Sequence, residues 1–144
     1  MCTVSEMKAR VEGVLDTVLS LAGECMTEKA VEIVGLVQDQ MYEEGIDGDG
    51  IALAPYREIA YSRLKFSMRG RSITDLTLTG AFREAMFLEV DGETYFISSK
   101  DDKTPELEAK YGEAIFHLTA DNKQQAWYYI EPLFAEKLKA QLQL

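Results

Sequence analysis

The 144-residue chain is predicted to fold as an α+β protein, with a helical N-terminal part, a small antiparallel β-sheet or hairpin, and a long C-terminal helix. Three observations predict this. Apolar residues recur at helical spacing over about 4–22 and again over about 27–44. Asp91-Gly92 separates two short apolar runs, a strong short-range hairpin signal. Trp127, Ile130, Phe134, Leu138 and Leu142 then fall on one face of a last helix.

The elements follow in order. Thr3 and Glu6 have the spacing of a capping box. Val4, Met7, Val11, Val14, Leu15, Val18 and Ala22 form one stripe, expected to be buried, and Gly23 is expected to stop this helix. A second helix spans about 27–44, with Ala30, Ile33, Val34, Val37 and Met41 inward and Gly45 as its C-cap. Pro55 starts a short helix that turns Tyr56, Ile59 and Ala60 to the core, and 67–72 reads as a loop. Thr77 or Thr79 caps a short helix through Met86. Strands are expected at about 85–90 and 94–98.

Residues 99–103 form a charged loop, and Pro105 opens a helix to Tyr111. The run 114–118 is a strand or an extended packing segment. Asp121 with Gln124 makes another cap pattern, and Pro132 should kink or break the last helix. Trp127 reads as a core anchor, with Tyr128 or Tyr129 on the exposed face.

Length and composition suit one domain, 1–144, with 45–80 a long, partly flexible basic loop or arm. Apolar residues make up 47% of the chain, which argues against disorder. No apolar run approaches the roughly 20 residues that span a bilayer, and the first ten residues lack a signal-peptide layout. A soluble protein is expected, in the cytoplasm or in a particle assembled there.

Charge is distributed unevenly. Arg57, Arg63, Lys65, Arg69 and Arg71 face only Glu58 over 57–71, a local charge of +4. The net charge is −10, so the remainder carries −14. An acidic body disfavours direct nucleic-acid binding, because phosphate neutralisation dominates such affinity. A cationic segment on that body suits an acidic protein surface.

Chemical motifs are sparse. Cys2 and Cys25 have no CxxC or Cys/His spacing, so two free thiols are expected and no zinc site. Asp47-Gly48-Asp49-Gly50 invites a calcium reading. Setting Gly50 at position 6 of an EF-hand loop puts Gly45 at position 1 and Tyr56 at position 12, neither of them a ligand. A Gly/Asp turn accounts for the segment, with Gly48 and Gly50 as turn residues. The glycines match no phosphate-binding loop. His117, the single histidine, sits in the apolar run Ile115-Phe116-His117-Leu118 with no nucleophile elbow. It is expected in or at the edge of the core. The chain therefore reads as non-enzymatic, with no metal or cofactor.

The order of pieces resembles a known family. A Gly/Asp turn runs into Leu53-Ala54-Pro55-Tyr56; Tyr61, Lys65 and Gly70-Arg71-Ser72 follow. Then come Leu76-Thr77-Leu78-Thr79-Gly80-Ala81-Phe82, a hairpin, and Ile115-Phe116-His117-Leu118-Thr119. This is similar to the Mu-like tailed-phage virion-morphogenesis proteins, which act in tail completion or head–tail joining. The match is densest over 45–90 and looser over 105–135. Phe82 and Met86 are bulkier than the usual continuation, and the C-terminal helix is long and acidic. The resemblance implies an α+β structural protein that works in rings, without catalysis. Thr79 and Gly80 then have a turn role, and the basic segment is an assembly arm. It also implies partners among virion neck or tail proteins, and a location in the host cytoplasm and then the virion. The other reading of the residues is a cytoplasmic acidic adaptor or inhibitor that binds a basic partner.

Overall fold

The computed structural model describes residues 2–53 and 80–143. Four expectations lie outside them: the short helix at Pro55, the loop 67–72, the caps at Thr77 or Thr79, and the five basic residues Arg57, Arg63, Lys65, Arg69 and Arg71. What is described is an α+β fold, with helices packed on a two-stranded antiparallel sheet and a long C-terminal helix.

Helix α1 spans Val4–Leu15 and α2 spans Val18–Glu28. The capping box at Thr3 forms: its Oγ1 accepts the Glu6 N–H at 3.1 Å, and Glu6 accepts the Thr3 N–H at 2.6 Å. These bonds to Thr3 hold the Glu6 carboxyl below its ordinary range. The expected single helix to Ala22 is interrupted at Asp16–Thr17. Both the Thr17 N–H (2.9 Å) and its Oγ1 (3.0 Å) bond back to the Val14 carbonyl, which closes α1 early. The expected stripe divides as a result. Val14 is buried, whereas Val4 (88% exposed), Val11 and Leu15 (67%) face outward.

Gly23 does not stop a helix; α2 runs through it. A Cβ there would stand 3.1 Å from Val90 Cγ1, so its absence lets α2 lie close to the sheet. Helix α3 (Ala30–Asp39) follows after Lys29 and passes into a π-helical turn, Gln40–Glu44. The expected helix over 27–44 is thus two elements and a wider turn. Gly45 ends it in the left-handed region (φ 62°), as expected of a C-cap glycine.

Gly80 (φ 82°) precedes the one-turn helix α4, Ala81–Glu84. Strands β1 (Met86–Asp91) and β2 (Thr94–Ser99) pair with Asp91 opposite Thr94, within one residue of the sequence expectation. Of the two loop residues only Gly92 has positive φ (61°), as a type II′ hairpin turn requires. Helix α5 (Thr104–Tyr111) starts with Pro105 in its first turn. The run 114–118 is neither strand nor fully extended: a 3₁₀ turn covers Glu113–Phe116.

Helix α6 spans Ala120–Leu142, capped by Thr119, whose side chain accepts from the Asn122 N–H. It passes Pro132 without a break. Pro132 and Tyr128 are both exposed, so water can serve the carbonyl of Tyr128 that Pro132 leaves without an N–H. Trp127 is not the core anchor. It is 44% exposed, beside Phe134 at 6.4 Å between ring centroids, while Ala126 and Ile130 point inward. A small residue at 126 lets α6 approach the helices it crosses.

The core joins Ile33, Val37 and Met41 to Met86 and Ile97 of the sheet, and to Ile115, Phe116 and Ile130. Full burial of each such side chain is worth roughly 1.5–3 kcal/mol. Lys137 of α6 bonds Glu28 at 2.9 Å and Glu24 at 3.5 Å on α2, and the Glu28 bond holds its pKa above the ordinary lysine value. No described helix is long and apolar enough to cross a membrane.

Both cysteines are free; Cys2 is exposed and Cys25 is buried. Burial pushes the Cys25 thiol above its ordinary range. At neutral pH iodoacetamide should therefore label Cys2 alone in the folded protein, and Cys25 only after denaturant is added, as peptide mass mapping would read. Above the ordinary thiol range the unfolded chain loses this proton first. The contribution of Cys25 to stability is thus full at neutral pH and falls as pH rises.

Candidate functional site

Three short pieces are locked together at one end of the sheet: the turn 45–53, the 3₁₀ turn with the residues after it, and the π-helical turn. The first is a compact Asx turn. Asp47 Oδ1 accepts the N–H of Asp49 (2.9 Å) and of Ile51 (3.0 Å), and the Asp47 carbonyl accepts from Gly50. Ile46 and Ala52 form an antiparallel bridge, and the Leu53 N–H reaches the Gly45 carbonyl at 2.8 Å. The Asp47 oxygen that a calcium reading would use as a ligand is occupied in capping backbone N–H groups.

Gly48 and Gly50 act for different reasons. Gly50 takes φ 77°, a left-handed conformation. Gly48 has an ordinary φ but touches the backbone of His117: a Cβ would come 2.6 Å from its carbonyl oxygen, and its N–H donates to the Ala114 carbonyl at 2.7 Å. Turn propensity alone could not separate the two roles.

Gln40 holds the third piece. It has no solvent exposure. Its Nε2 donates to the His117 carbonyl at 2.8 Å, and its Oε1 accepts from the Thr119 N–H (3.0 Å) and from Asn122 Nδ2 (2.7 Å). His117 is therefore fixed by its backbone, while its ring is exposed and takes no hydrogen bond from a described residue.

These pieces face the hairpin along β2, whose consecutive residues 95–98 all line a groove of about 590 Å³. The register puts Met86, Leu88, Ile97 and Ser99 on the core face, and Phe87, Glu89, Phe96 and Ser98 on the other. Phe87 and Phe96 meet edge to face at 6.1 Å between centroids, and Lys100 Nζ lies 5.4 Å from the Phe87 ring centre. Phe116 continues this apolar surface. Asp49, Glu108 and Glu113 stand around it, and none of their carboxylates has a partner among the described residues. Lys123 is the one cation among the described residues that line it. The arrangement is an aromatic floor with an acidic rim.

Of the residues singled out in the sequence, Gly48 lines the groove, Gly50 lies next to it in the same turn, and Gly80 caps α4. Thr79 and the basic residues are outside the described part. The three rim carboxylates and the Phe87–Phe96 pair were not anticipated. The hairpin register alone could have put the two phenylalanines on one face. Among the described residues no group of three metal-ligating side chains converges. Comparison of the chain with protein-family models, curated proteins and solved structures yields no match.

Proposed function

We propose that this chain is a non-enzymatic structural protein of a tailed phage or prophage, acting in tail completion or head–tail joining through protein–protein contacts. The observation that supports it most is the segregation of charge: a +4 segment at 57–71 on a chain that otherwise carries −14. Its partners are other virion neck or tail proteins and further copies of itself in a ring. It works in the host cytoplasm during assembly and then in the virion. Opposite charges on two different patches favour head-to-tail contact, which closes into a ring when the rotation allows.

The order of motifs over 45–90 gives the reading its phage context, and the built turn 45–53 and the Gly80 cap suit it. They give the cationic segment fixed points of departure and return on the core. Reversing Arg63, Lys65, Arg69 and Arg71 to Glu should abolish assembly and leave the monomer folded. Electron microscopy of particles made with the variant, or without the protein, should show full heads beside unattached or aberrant tails. Normal virions from the charge-reversed variant would sink the proposal.

A further inference from the structure

We infer that the groove between the hairpin and the 3₁₀ turn is the receptor for the cationic segment 57–71 of a second copy of this chain. The inference rests on the assembly reading above and names the surface that reading leaves open. Its first support is charge. Asp49, Glu108 and Glu113 are three carboxylates without partners among the described residues, opposed among the described lining residues by Lys123, with Lys100 beside them over Phe87. A carboxylate cluster next to an apolar floor favours a cation that also brings apolar groups.

The segment has that chemistry at the right period. From 63 to 71, Arg63, Lys65, Arg69 and Arg71 occupy odd positions, with Ser67 between them, and Leu64, Phe66 and Met68 occupy even ones. In an extended chain these two sets point to opposite sides. The apolar side matches the floor of Phe87, Phe96 and Phe116, and the basic side matches the rim. Lys100 over Phe87 shows that this aromatic surface already accepts a cation. Donor and receptor are different patches, so the contact repeats from copy to copy.

A synthetic peptide of residues 57–71 is the probe, titrated into the full chain. His117 lines the groove and is the only histidine, so its ring proton resonances report occupancy there. The peptide should shift them, and binding should weaken as salt is raised. The Glu108→Lys/Glu113→Lys variant changes one half-buried and one exposed side chain, so it should fold, with circular dichroism as the check. It should bind the peptide at least tenfold more weakly, and a peptide with Glu at positions 63, 65, 69 and 71 should bind it better than the native peptide does. No shift at His117 with the unchanged chain, or unaltered affinity in the variant, overturns the inference. If the groove variant assembles virions normally and the segment variant does not, the receptor lies elsewhere and the assembly reading stands. If neither variant affects assembly, both fall.

Discussion

Gln40→Leu is expected to destabilise the protein by about 3 kcal/mol, lowering the thermal midpoint by roughly 10 °C at this chain length. Leucine fills nearly the same volume, so little of the loss comes from a cavity. What disappears is the set of three hydrogen bonds to the His117 carbonyl, the Thr119 N–H and the Asn122 amide. Each partner group loses its bond where water has poor access, at roughly 1–3 kcal/mol for a fully buried one. The three are only partly buried, which keeps the total below the sum. Gln40→Glu separates donor from acceptor. It preserves both acceptor contacts but sets a carboxylate against the His117 carbonyl. Its penalty should shrink as pH falls, since a protonated carboxyl can donate there again. Thermal melts followed by circular dichroism at neutral and mildly acidic pH would test both; a loss under 1 kcal/mol for the leucine variant would mean that Gln40 is only a space-filler.

Gly48→Ala should cost about 2–3 kcal/mol, the upper part of the usual range for overpacking. The new methyl meets the Cβ and the backbone of His117, which Gln40 prevents from moving away. Either the bond from the Gly48 N–H to the Ala114 carbonyl stretches, or the whole turn lifts. Gly50→Ala is the internal comparison. Open space surrounds it, so only the left-handed φ of 77° is penalised, at about 1 kcal/mol. Urea unfolding should rank Gly48→Ala as the more damaging. The reverse order would assign the turn's glycines to backbone conformation alone.

The features legible in the sequence are those decided within a few residues. The Thr3 box, the Gly45 cap, the Asp91-Gly92 hairpin and Pro105 at the start of α5 are local chemistry, and the structure has all four. What was not legible depends on distant partners. Apolar spacing suggested one buried stripe over 4–22, but a threonine that bonds backward split the helix and left Val4, Val11 and Leu15 outward. Gly23 looked like a stop because glycine often ends helices; here a strand 67 residues further on requires its missing side chain. Trp127 was read inward on the same stripe as Ile130; the register of α6 buries Ile130 as expected but turns Ala126 inward in place of Trp127. The groove was the least legible part. Asp49, Glu108 and Glu113 are three of 25 acidic residues, and nothing in their spacing marks them before the fold brings them together.

The ties of Gln40 also bear on how the chain comes together during synthesis. They join positions 77, 79 and 82 residues apart in the chain. As the polypeptide is made, α3 and its π-helical turn leave the ribosome long before residues 117–122 exist. Until then the Gln40 amide can bond only to water, and dry packing around it would leave it unsatisfied. Dry packing around Gln40 is satisfied only with the start of α6 in place, so this one buried side chain ties the N-terminal helices to the last helix.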